Sequence, residues 1–339
     1  MIGAQTTPGQ RGVALIIVLM AFALGSILAS GMLTRQNVMI QRASGYLGQS
    51  EAQTLALGAE AFGRQILKRD IEENDQGSGQ ADQGQSGGVD HRNEQWARSA
   101  VALPVERGAI EAQINDLQGR LNLNSLVTED NEVNELTRGR FERLFMALDI
   151  RTLNVETLID WIDKDDERTG GAGAEDRDYS IRDPGYRAAD RPFADVSELR
   201  LMQGMSAEAY EKLRPHVSAL PTRDPRVNVN LASPAVIRSL HERIAKGQGE
   251  AVVAAAEETP FETIEDFLAR QEFAGLDLNG EGLGVSTSYF EIASRVTVGD
   301  SVHRLVSRVQ RNEDGDVLTL SRDTGRSGLI TKERAQAPE

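Results

Sequence analysis

The chain has an uncharged apolar stretch close to its start, GQRGVALIIVLMAFALGSILASGMLTRQ, residues 9–36. Residues 13–34 carry no charge, and a helix of about 20 apolar residues crosses the hydrocarbon core of a bilayer. Residues 35–70 contain no proline and repeat apolar side chains at helical spacing, for example Leu55 and Ala59. The pattern predicts one long amphipathic helix whose first half spans a membrane.

The start of this helix distinguishes between three kinds of N-terminal segment. A secretory signal peptide has an apolar core of about 7 to 15 residues and then a cleavage site of small residues, whereas this run passes directly into more helix. A plain single-span anchor fits the run alone. A short leader that ends in Arg11-Gly12, before a membrane helix with an amphipathic extension, resembles the type IV pilin-like class. The resemblance implies cleavage between Gly12 and Val13 by a prepilin peptidase, and it also implies methylation.

The same resemblance implies a location for the protein within the cell. It implies a single membrane pass from Val13 to Thr34 in the bacterial inner membrane, with the C-terminal domain in the periplasm. The composition suits an exported acidic domain, because the 339 residues are 40% hydrophobic and 26% charged, with a formal net charge of −15. This length allows two or three domains. The chain has no cysteine, which excludes disulfide and thiolate chemistry.

Ile17 departs from the pilin pattern. It is the fifth residue of the predicted mature chain, where most members of the class have a glutamate, and Val13 replaces the usual phenylalanine. A carboxylate in an apolar helix bundle needs a charge partner, commonly the N-terminal amine of a neighbouring subunit, because an unpaired buried ion costs several kcal/mol. A subunit with no neighbour above it loses nothing by having isoleucine there. Ile17 therefore predicts a position at the filament tip.

Strand patterns lie at both ends of the region after the long helix, and helical patterns lie between them. Ile110, Ala112 and Ile114 alternate with polar residues, and alternation returns over residues 289–322. This separation predicts an α+β protein with a type IV pilin-like fold. A long N-terminal helix would pack on a small antiparallel sheet of three or four strands, with a large α-helical domain inserted into it.

The sequence predicts the following order of segments: leader 1–12, transmembrane helix 13–34, periplasmic helix 35–72, flexible loop 73–92, first part of the sheet 93–125, inserted helical domain 126–285, second part of the sheet 286–322 and C-terminal tail 323–339. The flexible loop is rich in Gly, Gln and Ser and has almost no apolar residue with which to bury surface.

Four segments together resemble the type II secretion protein K family, the large minor pseudopilins. They are DLQGRLNLNSL (116–126), LIDWIDKDDE (158–167), GAEDRDYSIRDPGYRAADRPFADVSELRLMQGM (173–205) and NVNLAS (228–233). The resemblance implies a place at the tip of the periplasmic pseudopilus, where such a subunit initiates or caps assembly for protein export across the outer membrane. It implies contact with minor pseudopilins I, J and H, with the major pseudopilin and with exported substrates. Independently, an insertion of about 160 residues is hard to repeat in a tightly stacked filament.

The segment DWIDKDDERTGGAGAEDRDYSIRD, residues 160–183, crowds carboxylates into a glycine-rich loop. Such carboxylates repel one another unless they are solvated or bind a cation, and Ca²⁺ takes about six to eight oxygen ligands. The spacing does not match an EF-hand, and a solvated acidic loop is the alternative. The family resemblance implies bound calcium, and Asp163, Asp165, Glu175 and Asp176 match acidic positions of its motif.

An enzyme is a second functional class, and the sequence does not support it. The chain has no cysteine nucleophile, no His-x-x-x-His pair and no glycine-rich phosphate loop after a strand. Trp161, Tyr179 and Tyr186 are therefore interpreted as packing aromatics.

A membrane-anchored DNA-binding protein is the alternative function, because residues 196–217 and 227–240 resemble helix-hairpin-helix segments. However, Gln203-Gly204-Met205 lacks the Gly-x-Gly hairpin and few Lys or Arg residues cluster beside it. Acidic composition also argues against the phosphate backbone as a partner, so no nucleic acid is expected.

Overall fold

The computed structural model describes residues 10–77, 88–98, 100–312, 314–326 and 330–332. Parts of the predicted segments lie outside the described residues: 1–9 of the leader, 78–87 of the flexible loop, 99 and 313 of the two sheet parts, and 327–329 and 333–339 of the tail.

The protein alternates helices and strands along the chain. The helices are α1 (Gln10–Gly77), α2 (Gln95–Arg98), α3 (Glu135–Ala147), α4 (Val155–Asp160), α5 (Asp176–Ser180), α6 (Ala207–Leu213), α7 (Pro234–Ser239), α8 (Lys246–Glu258) and α9 (Ile264–Leu268). The strands are β1 (Val101–Val105), β2 (Gly108–Asp116), β3 (Leu121–Asn122), β4 (Val217–Ser218), β5 (Val227–Asn228), β6 (Leu283–Gly284), β7 (Tyr289–Val298), β8 (Ser301–Arg311) and β9 (Val317–Asp323).

Helix α1 is one continuous rod of 68 residues, which confirms the prediction of a single long N-terminal helix. It contains an apolar window of mean hydropathy 2.6, long enough to cross a membrane and exposed throughout. The helix continues to Gly77, past the predicted end at residue 72. Ile71 is buried, so packing on the rest of the protein holds the helix in place just before this extension.

The sheet has the strand order β1-β2-β7-β8-β9, and all neighbours are antiparallel. Strands β2 and β7 are adjacent in the sheet although the inserted domain separates them in sequence, which confirms the α+β pilin-like architecture. The sheet has five strands among the described residues, more than the three or four predicted. The extra strand β1 contains Pro104, which cannot donate a ladder hydrogen bond and is tolerated because β1 lies at the edge.

One face of α1 packs on the sheet. Ala52 and Ala56 are completely buried in a cluster with Val296, Val298 and Leu305. Further along the helix, Leu67 joins a second cluster with residues of β2, β7, β8 and β9. The helix can approach closely because small residues face the strands. Full burial of each large apolar side chain stabilises the fold by about 1.5–3 kcal/mol, so this face fixes the sheet to the rod.

The region between β3 and β6 is a mainly helical domain with its own hydrophobic core. Large side chains such as Phe141, Leu158 and Phe267 are completely buried there. The domain also contains two short parallel strand pairs, β3 with β4 and β5 with β6. Asn134 caps α3 by accepting a hydrogen bond from Thr137 N–H, and Ser233 caps α7 in the same way.

Asp90 joins the inserted domain to the sheet. Its Oδ2 accepts a 2.6 Å hydrogen bond from Thr287 N–H, and its backbone oxygen accepts one from the side chain of Asn228 on β5. Both partners are buried, so these bonds hold the chain before β7 in one position relative to the inserted domain.

Candidate metal site and assembly surface

Three of the predicted ligands come together in the inserted domain. One carboxylate oxygen each from Asp163, Asp165 and Glu175 lies within 4.8 Å of the others. Asp163 follows α4, and its N–H donates to Ile159 O and continues the last turn of that helix. Glu175 is the residue before α5, and its N–H donates to the Asp178 carboxylate. Two helix ends therefore present the carboxylates to one another.

Two of the three carboxylates, those of Asp163 and Glu175, are buried and have oxygens without partners, whereas Asp165 is exposed and accepts a hydrogen bond from Glu167 N–H. Asp163 is 6% exposed and Glu175 is 4% exposed. Asp163 Oδ1 and both carboxylate oxygens of Glu175 are buried without a hydrogen bond from any described residue. The same holds for Oδ2 of Asp160, which is completely buried three residues before Asp163. Buried oxygens in this state are destabilising unless a cation binds them.

The raised pKa values of Asp163 and Glu175 also favour the binding of a cation. Burial, followed by the charges of Asp165, Asp160 and Asp190, raises the pKa of Asp163 to about 7. Burial, followed by the charges of Asp160, Asp163 and Asp190, raises the pKa of Glu175 to about 8. A bound divalent cation would reverse this penalty, because it favours the ionised carboxylates. The oxygen-only donor set therefore fits a hard cation such as Ca²⁺.

Asp176 is not brought into this trio. Its Oδ1 accepts a hydrogen bond from Ala188 N–H, and Arg187 lies near its other oxygen. Asp160 and Asp190, whose charges act on the cluster, were not among the predicted residues. For Asp160 a signal was present, since residues three apart on a helix share one face. Metal binding by Asp163, Asp165, Glu175 and Asp176 stays a prediction.

A cluster of aromatic rings is formed by residues close in sequence to the acidic residues. The rings of Trp161 and Tyr179 meet edge to face at 5.3 Å, and Tyr186 stacks on Tyr179 at the same distance. Trp161 and Tyr179 are buried, in agreement with their interpretation as packing residues. The rings fix the segments that carry Asp163 and Glu175.

A second group of acids, Asp70, Asp90 and Glu94, also has carboxylate oxygens within 4.8 Å of one another. It lies where the end of α1 meets the segment before β1. Here the protein supplies its own cation, because Arg311 forms ion pairs with both Asp70 and Asp90. This group is therefore a structural ion-pair network.

The face of α1 opposite the sheet forms the second candidate site, which we call the outward face. Leu47, Leu57 and Phe62 are exposed on it, and Phe62 is 52% exposed. Gly58 lies on the same side, with open space where a Cβ would be. Small and apolar residues on one side of a helix allow close packing of another helix. Towards the membrane end, Ile17 is also exposed.

The chain is similar to known proteins of one family. Models of the family described as type II secretion system protein K match residues 119–222 and 227–286. A type II secretion system protein K of Pseudomonas aeruginosa is 36% identical over 326 residues, 95% of each chain. One from Klebsiella pneumoniae is 35% identical, over 66% of this chain and 67% of the relative.

The fold is also similar to a solved structure. A chain in the crystal structure of the GspK-GspI-GspJ complex from the enterotoxigenic Escherichia coli type 2 secretion system superimposes with a TM-score of 0.71 at 25% identity. The match covers 84% of this chain and all of the other. It extends over both the pilin-like part and the inserted domain.

Proposed function

Because the chain belongs to the type II secretion system protein K family, we propose that it is the minor pseudopilin at the tip of a type II secretion pseudopilus. In this role it initiates or caps assembly for protein export across the outer membrane. The observation that carries the proposal is the outward face of α1, whose large apolar residues Leu47, Leu57 and Phe62 are exposed. The family assignment favours this role over the DNA-binding alternative.

Two observations support the partners that we propose. Leu57 and Phe62 offer apolar area, and Gly58 allows a neighbouring helix to approach closely. The similar chain was crystallised in a complex with GspI and GspJ. We assign minor pseudopilins I and J to the outward face, with minor pseudopilin H and the major pseudopilin following below in the filament.

Two features support the tip position. The inserted domain is bulky and lies beside the sheet, so repeated copies would clash in a tight helical stack. Ile17 also lacks the carboxylate that a subunit above would pair with its own amine. The subunit therefore has one end that is complementary to the filament and one that is not.

The proposed role includes a membrane anchor and processing. The exposed apolar part of α1, from Val13 to Thr34, would hold the subunit in the bacterial inner membrane before assembly, with the remainder in the periplasm. A prepilin peptidase would cleave between Gly12 and Val13. No catalytic step is needed for this function, and the subunit acts by binding.

We further propose that the acidic cluster binds calcium. Asp163, Asp165 and Glu175, together with Asp160, would hold the ion. A bound Ca²⁺ supplies positive charge that neutralises carboxylates otherwise forced together. These residues lie at the end of α4 and just before α5, so the ion would hold these two segments together and would stabilise the inserted domain.

The tip proposal is tested by co-purification of the full-length protein with minor pseudopilins I and J from detergent extracts. Phe62→Lys and Leu57→Lys are expected to abolish the complex, because each places a charge in an apolar helix contact. Met146→Lys is the matched control, since Met146 is an exposed apolar residue of the inserted domain. Retention of the complex by both α1 variants would contradict the assignment of the outward face.

A further inference from the structure

A cleft of about 780 Å³ lies between the inserted domain and the outer face of the sheet. Its walls are formed by residues 195–200 and 210–219 of the inserted domain, and by parts of β7, β8 and the chain after β9. This cleft is separate from the acidic cluster and from the outward face of α1.

The cleft is rich in arginine. Five arginines line it against four carboxylates, an excess of one positive charge in a chain whose net charge is −15. The five are Arg120, Arg200, Arg214, Arg308 and Arg326. A positively charged cleft in an otherwise acidic protein favours an anionic ligand, because the walls focus the local field.

The arginines are unequally paired. Arg326 forms ion pairs with three of the carboxylates. Arg200 and Arg214 share the single carboxylate of Glu211, at 3.7 and 3.1 Å. Arg120 is half-buried and forms no ion pair or hydrogen bond with the described residues, and the carboxylate with which it interacts electrostatically, that of Asp116, is half-buried too. Its guanidinium therefore has donors that the described part of the protein leaves unused.

Ser218 is an independent indication of a ligand. It lines the same cleft and is 2% exposed, yet its hydroxyl has no hydrogen-bond partner within the described chain. Buried hydroxyls are normally paired, since an unsatisfied buried group costs about 1–3 kcal/mol. An acceptor that enters the cleft would satisfy the Ser218 hydroxyl as well as the free donors of Arg120.

We propose that this cleft binds an acidic peptide segment of a protein partner, with a carboxylate held by Arg120, Arg214 and the Ser218 hydroxyl. The planar guanidinium group matches a carboxylate, with two parallel hydrogen bonds. The carboxylates in the walls disfavour a multiply charged phosphate, whereas a peptide carries isolated charges. Apolar wall residues such as Val196 and Val217 offer contact for its other side chains.

The test uses the full-length protein in detergent and a fluorescein-labelled peptide of alternating Glu and Gly, with blocked ends. The wild type is expected to bind this peptide and to bind the Gln-for-Glu peptide at least tenfold more weakly. Arg120→Gln and Arg214→Gln should each weaken binding about tenfold, since a charge-assisted hydrogen bond is lost. Hydrogen exchange should show new protection over residues 195–200 and 214–219.

Controls separate binding in the cleft from general effects of charge. Arg151→Gln removes the same charge from an arginine outside the cleft and should bind like the wild type. Ser218→Ala should fold normally, because its hydroxyl has no partner among the described residues, and should bind more weakly. Equal binding of the Glu and Gln peptides, wild-type binding by Arg120→Gln and Arg214→Gln, or full displacement by equimolar inorganic phosphate would each overturn the proposal.

Discussion

The guanidinium of Arg311 on β8 donates a hydrogen bond to the carboxylate of Asp90, and the two side chains are only 3% and 1% exposed. The other terminal nitrogen of Arg311 lies 2.8 Å from Asp70 on α1. Arg311 also donates to the backbone oxygen of Thr287, just before β7. One buried residue therefore connects the N-terminal rod, the segment that follows it and the sheet.

The first prediction concerns this ion pair. Arg311→Met is expected to lower the free energy of unfolding by about 3–5 kcal/mol, because it leaves a buried carboxylate without a partner. Urea unfolding followed by circular dichroism measures the change. Lys68→Met is the control, since its ion pair with Asp316 is exposed and should contribute less than about 1 kcal/mol. Equal effects of the two substitutions would contradict a structural role for Arg311.

The second prediction concerns Glu60, which lies on the sheet-facing side of α1. Burial alone would raise its pKa, but hydrogen bonds from Arg322, Ser307 and Thr319 outweigh burial and hold the pKa at about 2, below the ordinary value of 4.5. Because the pKa of Glu60 is lower in the folded protein than in the unfolded chain, its ionised form stabilises the fold at pH values above about 4.5. This stabilisation is lost as the pH falls from about 4.5 to about 2.

Glu60→Gln should therefore lower the free energy of unfolding by about 2 kcal/mol at neutral pH, and by progressively less towards pH 2. Urea titrations across this pH range measure the difference from the wild type. Glu72→Gln, at an exposed position on the same helix, is the control and should lower the free energy of unfolding at neutral pH by less than about 1 kcal/mol. A difference between Glu60→Gln and the wild type that is constant with pH would contradict the prediction.

The sequence predicted the features that depend on regular, local patterns. The apolar run and the unbroken periodicity after it specify α1, and the alternation around Ile110 and Ile114 specifies β2. Helix α8 lies within the predicted helical domain, although Gly247 and Gly249 weaken its local propensity. It forms because Val252 and other apolar residues pack into the domain core.

For the candidate metal site too, the sequence predicted only the residues that lie close together in the chain. Asp163, Asp165 and Glu175 stand close together in the chain, so their crowding was visible in the sequence. Asp190 lies in a separate loop, where its backbone has a positive φ of 48°, and its charge raises the pKa of Glu175. Long-range placement of this kind depends on tertiary packing and has no local pattern. Local spacing also could not show that Asp176 would turn towards Ala188.

The third prediction concerns calcium. Addition of Ca²⁺ is expected to raise the melting temperature of the full-length protein, and a chelator should reverse the rise. An ion held only by the folded state stabilises it by about 2.7 kcal/mol at 100-fold excess over its Kd. Differential scanning calorimetry measures both effects. The absence of calcium binding to the wild type would favour the solvated acidic loop.

Variants of the acidic cluster make the calcium prediction sharper. Asp163→Ala combined with Glu175→Ala should remove the calcium dependence. Glu175→Gln alone should raise the melting temperature of the calcium-free protein at pH values above the ordinary pKa of about 4.5, and should change it little below that pH, where the carboxyl is neutral in both states. Between about 4.5 and 8 the wild-type carboxyl must take up a proton on folding, and above its pKa of about 8 it is a buried charge that other carboxylates repel. Asp277→Asn, at an acidic position outside the cluster, is the control and should respond to calcium like the wild type.

The fourth prediction concerns processing. Mature protein from secretion-competent cells is expected to begin at Val13, as N-terminal sequencing will show. Replacement of Gly12 by tryptophan should leave the leader attached, because a bulky side chain beside the scissile bond obstructs the peptidase. Gly25→Ala, where open space surrounds the backbone, should be processed normally. Recovery of an intact Met1 on the wild-type protein would contradict the pilin-like leader.

The last prediction concerns Ile17 and the tip position. Ile17 is exposed on α1, so in the proposed filament it would be available to contact neighbouring helices. Ile17→Glu should be processed normally but should destabilise the complex with minor pseudopilins I and J by several kcal/mol, because no subunit above supplies an amine to pair with the new carboxylate. Ile17→Leu keeps the apolar contact and should assemble like the wild type. Affinity of the detergent-purified complexes measures the difference. Labelled wild-type protein should be found at one end only of isolated pseudopili, and label along the shaft would show that the subunit propagates the filament, contrary to a tip role.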